Sequence, residues 1–286
     1  MGLPESITVW APAKLNLTLD VLGRRPDGYH ELLSVMQTLE LADRLELSLI
    51  PEGTEVLGGP NLPRPEDNLV YRAIEVLREK TGFRGGLRVH LEKHIPVAAG
   101  LGGGSADAAA ALSAANLLLG LGLTPHQLVG LAVRLGSDVP FCLVGGTVLV
   151  GGRGEKLSLL PSAPSMWLVL ARPALELSTA KVYQAWDQLG ELRPPSTYRL
   201  VAALHQGWSE GVVAALSNQL EPVTLRLCPK VAALKEKLLT WGAGKVWLCG
   251  SGPTLAALVD SRAQGEELAD RARAEGYQTW LTRTRV

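Results

Sequence analysis

A glycine-rich segment between a predicted strand and a predicted helix is the clearest candidate for chemistry in this sequence. Residues 96–106 read Pro-Val-Ala-Ala-Gly-Leu-Gly-Gly-Gly-Ser-Ala. Glycines let the backbone approach a phosphate group and adopt positive φ angles. The N-terminus of the following helix offers N–H groups and the positive end of its dipole. With the hydroxyl of Ser105, which can bind a phosphate oxygen or a magnesium ion, the segment predicts a phosphate-binding loop.

Two widespread phosphate-binding motifs do not fit this segment. A Walker A loop ends in Gly-Lys-Ser/Thr, whereas Gly104 is followed directly by Ser105. A dinucleotide-binding fold needs an acidic residue about 20 positions further on, and no Asp or Glu lies between Asp107 and Asp138. Read alone, the glycine pattern also fits a tight turn that only packs a helix, and that alternative stays open.

Other polar residues have an ordinary and a functional interpretation. Lys14 lies in an apolar run and could simply face solvent from a strand, while Asp138 follows Gly136 and could simply form a turn. Asp107 is best explained as complementing the helix dipole. The segment 248–254, Leu-Cys-Gly-Ser-Gly-Pro-Thr, is a second glycine-rich turn that fits an ordinary hairpin.

Tyr29 and His30 directly follow the turn-forming pair Asp27-Gly28. They place an aromatic ring and an imidazole together where the chain leaves the turn. Either residue alone would be explained by packing.

Hydrophobic periodicity predicts the elements that position these residues. Thr124 and Pro125 mark a helix start that Gly136 ends, and residues 51–67 predict a loop. The pattern predicts an α+β fold with a second unit beginning near residue 161. The predicted strands are 7–10, 15–22, 34–40, 43–50, 87–95, 141–150, 166–171, 245–249, 254–259 and a final one, and the other helices are 68–81, 105–119, 180–189, 198–205, 229–240 and 265–275.

Charge and composition exclude several classes of protein. The 28 basic and 28 acidic residues give a net charge of zero, unlike the basic footprint of a nucleic-acid-binding protein. The apolar tract 108–123 is interrupted by polar residues and glycines and is shorter than the ~20 residues of a membrane span. The N-terminus lacks the pattern of a signal peptide, and the three widely spaced cysteines indicate no disulfide framework. We therefore expect a soluble cytoplasmic protein that binds neither nucleic acid nor membranes.

Three segments together resemble the three motifs of the GHMP kinase superfamily. They are Pro12–Asn16, Pro96–Asp107 and Leu248–Thr254. Residues 11–17, 25–32 and 136–141 are similar to a branch whose acceptor is a methylerythritol that carries cytidine diphosphate. The resemblance implies a two-domain GHMP kinase fold with the active site in the cleft between an ATP-binding domain, 1–160, and a C-terminal domain, 161–286.

The same resemblance implies an activity and its residues. ATP with Mg²⁺ would phosphorylate the 2-hydroxyl of the methylerythritol, a step of non-mevalonate isoprenoid synthesis, in a monomer or weak homodimer. Asp138 would be the catalytic base with Lys14 beside it, and Ser105 would contact the metal. The nucleotide would bind Asn68 and the loop Pro96, Val97, Ala98, Ala99, Gly100, Leu101, Gly102, Gly103, Gly104, Ser105 and Ala106. The small-molecule substrate would contact Asn16, Tyr29, His30, Thr179 and Tyr183, with Tyr29 and Tyr183 closing on the two faces of the cytosine.

Two rival functions and two departures accompany this resemblance. A mevalonate- or homoserine-type kinase would need no aromatic pair for cytosine, and a non-catalytic nucleotide-binding module would need neither Lys14 nor Asp138. Family loops often carry glycine where this chain has Ala98 and Ala99, so we expect no positive φ there. No acidic residue stands out as a dedicated metal ligand, so the ion would depend mostly on ATP and Ser105.

Overall fold

The computed structural model describes residues 5–60, 62–189 and 194–286. These residues form an α+β fold, as predicted. Its strands are β1 (Ser6–Arg24), β2 (His30–Ile50), β3 (Thr54–Gly58), β4 (Gly86–Glu92), β5 (Thr147–Gly152), β6 (Lys156–Leu159), β7 (Trp167–Arg172), β8 (Ser217–Asn218), β9 (Lys245–Leu248), β10 (Leu255–Val259) and β11 (Gln278–Arg283). Its helices are α1 (Leu69–Thr81), α2 (Gly103–Leu118), α3 (Pro125–Leu135), α4 (Val139–Val144), α5 (Thr179–Leu189), α6 (Thr197–His205), α7 (Ser209–Ala215), α8 (Glu221–Leu227), α9 (Pro229–Thr240) and α10 (Arg262–Ala274).

The contacts group the chain into two compact units that are interleaved along the sequence. The first unit comprises the chain up to Lys14, Leu41–Val97 and Gly102–Gly145. In it, the second half of β2 pairs antiparallel with β4, and β3 pairs parallel with β4. The alanine-rich helix α2 is buried along much of its length, in one core with apolar residues of α1, α3 and β4. Small side chains allow this close packing, which holds the first turn of α2 in place.

The second unit comprises Leu15–Glu40, Ala98–Leu101 and Gly146–Val286. It contains a four-stranded antiparallel sheet in the order β11-β7-β10-β9. The first half of β2 pairs with β5, and β8 pairs parallel with β1 through Thr18 and Leu19. Its core joins side chains of β7, β9 and β10 with those of α9 and α10.

The helix boundaries follow signals that the sequence carries. Asn68 caps α1 by accepting a hydrogen bond from the Val70 backbone N–H, and Gly82 ends the helix in the left-handed conformation at φ 71°. Thr124 and Gln127 form a reciprocal capping box at the start of α3. The predicted bounds of these two helices are therefore confirmed to within one residue.

Two expectations about secondary structure were wrong in part, and in a third case the predicted strands are present but are not separate. Residues 141–144 belong to helix α4 and not to a strand, which begins only at Thr147 after two glycines at positive φ. The predicted loop 51–67 contains β3, because a parallel neighbour in β4 satisfies its backbone hydrogen bonds. The strands predicted as 7–10 and 15–22 form one continuous strand, β1, as do 34–40 and 43–50 in β2. Pairing to neighbouring strands, which a short window of sequence does not reveal, decides the second and third cases.

The predicted boundary between domains at residue 160 stays a prediction. The two compact units are groups of contacts rather than consecutive stretches, so they do not test where such a boundary lies. Among the residues that the structure describes, none of the helices combines the length and the apolar character that a membrane span requires.

Candidate active site

An ion pair between Lys14 and Asp138 lies in the first unit. Lys14 is 4% exposed, between buried Ala13 and Leu15 of β1, so it does not face solvent. Its Nζ lies 3.3 Å from Oδ2 of Asp138, whose side chain remains 28% exposed. A buried ammonium requires a charged partner, and the partial exposure of Asp138 leaves its carboxylate accessible to a bound molecule.

Asp138 lies at the junction between α3 and α4. Gly136 ends α3, and Pro140 stands in the first turn of α4, so the chain turns sharply at this aspartate. Within the described part of the chain, the Asp138 side chain makes no hydrogen bond that caps α4. The ordinary turn-forming role therefore does not account for its orientation towards Lys14.

Gly102 brings the glycine-rich loop against this ion pair. Its φ is 67°, in the left-handed region that favours glycine. A Cβ atom at this position would lie 2.8 Å from Cγ and 3.2 Å from Cε of Lys14, and 3.6 Å from Oδ2 of Asp138. The backbone of the loop thus packs directly on the pair, with no room for a side chain between them.

Gly100 supports the loop through a second close contact, inside the second unit. A Cβ atom there would lie 2.2 Å from the backbone oxygen of Cys249, which opens the turn between β9 and β10. In the same turn, Ser251 Oγ lies 2.8 Å from Oγ1 of Thr179, the first residue of α5. The turn at 248–254 is therefore a backbone support for the glycine-rich loop and not an isolated hairpin.

Helix α2 begins inside the predicted loop, at Gly103, two residues earlier than expected. Its first N–H with an intrahelical partner is that of Ala106, which donates to Gly102 O. The N–H groups that precede it have no partner within the helix and suit an anion. Ser105 is the third residue of the helix, and a Cβ atom at Gly104 would lie 3.7 Å from Cδ1 of Leu69 in α1. The order of loop and helix is as predicted, and binding of a phosphate by this loop stays a prediction.

Ala98 overturns one expectation for the loop. It has a φ of 53°, whereas neither it nor Ala99 was expected to have a positive φ. For a residue with a Cβ, the left-handed region costs about 1–2 kcal/mol. Ala99 has a negative φ and is buried. Of the two alanines, only Ala98 therefore carries this backbone strain.

Asp107 has a different role from the one predicted. It is the fifth residue of α2, buried, and its Oδ2 accepts a hydrogen bond from Lys93 Nζ at 2.7 Å. Burial raises the pKa of Asp107 to about 7, although Lys93 acts in the opposite direction, and Asp43 at the same ammonium adds to the rise. Burial lowers the pKa of Lys93, but its two carboxylate partners outweigh this and hold it above its usual value. Lys93 therefore stays charged between them.

A cluster of rings surrounds His30 in the second unit. The His30 and Tyr183 rings are stacked with centroids 4.7 Å apart, and Trp186 meets His30 edge-on at 5.8 Å. His30 Nε2 lies 2.7 Å from Oδ1 of Asp187. The structure thus brings together two of the predicted substrate-binding residues, His30 and Tyr183. Trp186 and Asp187 were missed, although their spacing of three and four residues from Tyr183 places them on one face of α5.

Tyr29 lies apart from these ring contacts. Its side chain is exposed, and the guanidinium of Arg153 lies 3.7 Å from the centre of its ring. Arg153 in turn approaches Asp27 Oδ2 at 3.9 Å. One face of the Tyr29 ring is covered by a cation, which sequence reasoning did not anticipate. The predicted placing of Tyr29 opposite Tyr183 across a base stays a prediction.

Asn16 is fully buried in the second unit. Its side-chain N–H donates to Ser34 Oγ at 2.8 Å, and its backbone oxygen accepts from the indole N–H of Trp247. Asn68 likewise has a defined structural role as the cap of α1. Contacts of these two residues with substrate or nucleotide stay predictions.

Comparisons with known proteins agree with the predicted family. A model of the GHMP kinases N terminal domain matches residues 68–146, and a model of the GHMP kinases C terminal domain matches residues 200–278. The 4-diphosphocytidyl-2-C-methyl-D-erythritol kinase of Moorella thermoacetica is 47% identical over 284 residues, 98% of this chain and 99% of the relative. The enzyme of the same name from Pelotomaculum thermopropionicum is 48% identical over 280 residues, 97% of this chain and 98% of the relative.

A solved structure extends this similarity to three dimensions. The crystal structure of a 4-(cytidine 5'-diphospho)-2C-methyl-D-erythritol kinase matches with a TM-score of 0.84 and 34% identity. The match covers 97% of this chain and 99% of that one. The similarity in sequence and in structure therefore extends over nearly the whole length of each.

The strain at Ala98 predicts that glycine is preferred there. Ala98→Gly should raise the free energy of unfolding by up to about 1 kcal/mol, because it relieves the positive φ. Ala99→Gly should lower it by a similar amount, because it removes a buried methyl group at a position with a negative φ. Urea unfolding of both variants and the wild type measures the difference. Equal effects of the two substitutions would contradict the assigned strain.

Proposed function

Because the chain belongs to the GHMP kinase family, whose members use ATP as phosphate donor, we propose that it phosphorylates the 2-hydroxyl of 4-diphosphocytidyl-2-C-methyl-D-erythritol. The relatives that cover nearly the whole chain bear the name of this kinase. The reaction belongs to the non-mevalonate route to isoprenoid precursors.

The contact of Gly102 with the Lys14–Asp138 pair is the observation that carries this proposal. The backbone that would receive the ATP phosphates packs on Lys14 and lies close to Asp138, the two charged side chains that would serve the acceptor hydroxyl. Phosphoryl transfer depends chiefly on placing donor and acceptor in line and on stabilising charge. A non-catalytic nucleotide-binding module would have no use for a lysine and an aspartate held against its phosphate loop.

In the proposed reaction, the acceptor hydroxyl oxygen attacks the γ-phosphorus of ATP. A bond forms between this oxygen and phosphorus, the bond from phosphorus to the β,γ-bridging oxygen breaks, and ADP leaves. Asp138 orients the hydroxyl and accepts its proton. Lys14, fixed beside Asp138, stabilises the negative charge that develops on the acceptor oxygen.

The donor side of the site is built from backbone groups and one hydroxyl. The N–H groups at the start of α2 would bind phosphate oxygens, in the same way that helix N-termini bind anions generally. The described residues contain no group of three or more His, Cys, Asp or Glu side chains arranged to hold a metal ion. A magnesium ion would thus be bound by the ATP phosphates with Ser105 as the protein donor, where it would neutralise phosphate charge.

Recognition of the acceptor is assigned to the aromatic residues of the second unit. Tyr29 offers one ring face, while Arg153 covers the other, and a cytosine would stack on the open face. His30 would bind the polar edge of the base, with its ring held by Asp187. Tyr183 would close on the base from the opposite side.

We also propose a cytoplasmic enzyme that acts as a monomer or weak homodimer. The three cysteines are free thiols, and two of them, Cys228 and Cys249, are buried. This cysteine usage suits a reducing compartment.

A comparison of acceptors tests the proposed function. The purified protein is given ATP, Mg²⁺ and one of three acceptors: the cytidyl alcohol, mevalonate or homoserine. We expect ADP formation with the cytidyl alcohol, with a kcat/KM at least 100-fold above either rival, because only this acceptor engages the base-binding residues. A preference for mevalonate or homoserine would overturn the proposal.

Removal of the Asp138 carboxylate should abolish turnover without abolishing nucleotide binding. Asp138→Ala is expected to lower kcat by about 10²–10⁴-fold, because the hydroxyl loses its proton acceptor and its orientation. ADP release measures turnover, and calorimetry measures Mg·ATP binding. Asp270→Ala, which removes an exposed aspartate of α10, is the control and should keep full activity. Near-normal turnover of Asp138→Ala would refute the assigned role.

Loss of the Tyr29 ring should weaken binding of the acceptor alone. Tyr29→Ala is expected to raise the KM for the cytidyl alcohol on the order of tenfold, since stacking on a base contributes about 1–3 kcal/mol. The KM for ATP should stay within twofold. Tyr198→Ala removes a comparably exposed tyrosine from α6 and serves as the control. An unchanged KM for the acceptor would remove Tyr29 from the base-binding site.

A further inference from the structure

We propose that Lys93 is a positioning residue for phosphoryl transfer, because it joins the two flanks of the glycine-rich loop through Asp43 and Asp107. The inference rests on the proposed function, in which this loop binds the ATP phosphates. All three residues lie in the first unit, as do both flanks of the loop.

The first flank is the chain that enters the loop. Asp43 of β2 is fully buried, and its Oδ1 accepts hydrogen bonds from the backbone N–H groups of His94 at 2.5 Å and Ile95 at 2.8 Å. Pro96, the first residue of the loop, follows immediately. A single carboxylate oxygen therefore fixes the direction in which the chain enters the loop.

The second flank is the start of α2, where the chain leaves the loop. Asp107 is buried within this helix, and its Oδ2 lies 2.7 Å from Lys93 Nζ. The same Nζ lies 2.5 Å from Oδ2 of Asp43. A Cβ atom at Gly103, the first residue of the helix, would lie 3.2 Å from this Nζ, so the ammonium also packs against the helix start.

One ammonium thus bridges the chain before the loop and the chain after it. Removal of Lys93 would leave two buried carboxylates without the cation that they share. An uncompensated buried charge is strongly unfavourable. Without Lys93 the two flanks would separate or shift. The N–H groups at the start of α2 would then no longer point at one fixed phosphate position, and a displacement of about 1 Å in such a site can cost on the order of 10²-fold in rate.

Arg78 provides a matched cation that should lack this effect. It is partly buried in the first unit, pairs with Glu75, and donates to Thr54 Oγ1 and to the backbone oxygen of Gly53. None of these partners belongs to the glycine-rich loop or to its flanks. Substitution of Arg78 therefore removes a comparable set of bonds from a region without an assigned role in phosphate binding.

Two measurements on the full chain separate positioning from general stability. Calorimetry with Mg·ADP gives the nucleotide affinity without an acceptor, and hydrogen exchange of the segment 93–107 reports the two flanks. For Lys93→Met we expect at least tenfold weaker Mg·ADP binding and faster exchange at both flanks. Lys93→Arg should recover most of the affinity, because it restores a cation between the carboxylates. Arg78→Met should leave the affinity within twofold, even with a similar loss in Tm.

The outcomes distinguish this inference from the proposed function. If the wild type binds Mg·ADP and Lys93→Met binds it equally well, or if Arg78→Met loses affinity to the same extent, the positioning role is overturned while the kinase assignment stands. If the wild type binds no nucleotide, the proposed function fails and the role of Lys93 fails with it.

A milder variant keeps the test decisive should Lys93→Met not fold. Asp107→Asn retains the shape of the side chain and weakens only the connection to α2. It should lower the affinity for Mg·ADP several-fold and speed exchange at the helix start, with the protection of His94 and Ile95 unchanged. Unaltered affinity in this variant would overturn the proposal.

Discussion

The ion pair between Lys14 and Asp138 is the interaction on which the candidate site depends. Lys14 lies in the interior between buried apolar residues of β1, so its ammonium needs an acidic partner. Asp138 meets that need and still reaches solvent. The pair also restricts which residue can pack against it. Only a backbone without a side chain fits there, and Gly102 supplies it at a positive φ that glycine tolerates.

Contacts within each of the two units constrain the glycine-rich loop, although glycines give its backbone much conformational freedom. Gly100 lies against the backbone oxygen of Cys249, Gly102 lies against the ion pair, and Lys93 joins the two flanks. Glycines let the backbone approach a phosphate without steric clashes. They also increase the conformational entropy that the chain loses when the loop is ordered. These external contacts compensate for that loss and preorganise the N–H groups, which is how electrostatic stabilisation of a transition state becomes effective.

In the proposed function, acceptor selection would depend on a separate set of interactions. The rings of His30, Tyr183 and Trp186 give apolar area, while Asp187 orients the imidazole. Apolar contact alone discriminates weakly between substrates. Polar groups positioned to hydrogen-bond the edge of a base are left unpaired by an acceptor without that base, which therefore binds less tightly. In the proposed function, this combination would explain how the site selects a cytidyl alcohol.

Local sequence determined those features that rest on backbone geometry or on short-range periodicity. The glycine-rich loop, the cap of α1 at Asn68 and the capping box of α3 were all predictable, because each depends on residues within a few positions of one another. The family was predictable from three short motifs, which the comparisons support. The α+β class followed from the alternation of the two periodicities.

Tertiary structure alone decided the features that depend on residues distant in the chain. Burial of Lys14, the bridge from Lys93 to Asp43 and Asp107, and the helical state of 141–144 all arise from packing between segments. The positive φ of Ala98 was predicted wrongly for the same reason, since the path of the loop is imposed by its supports and not by its own preferences. The candidate side chains could be identified from the sequence. The distances between them could not, because the position of a buried charged group depends on the oppositely charged partner that stabilises it.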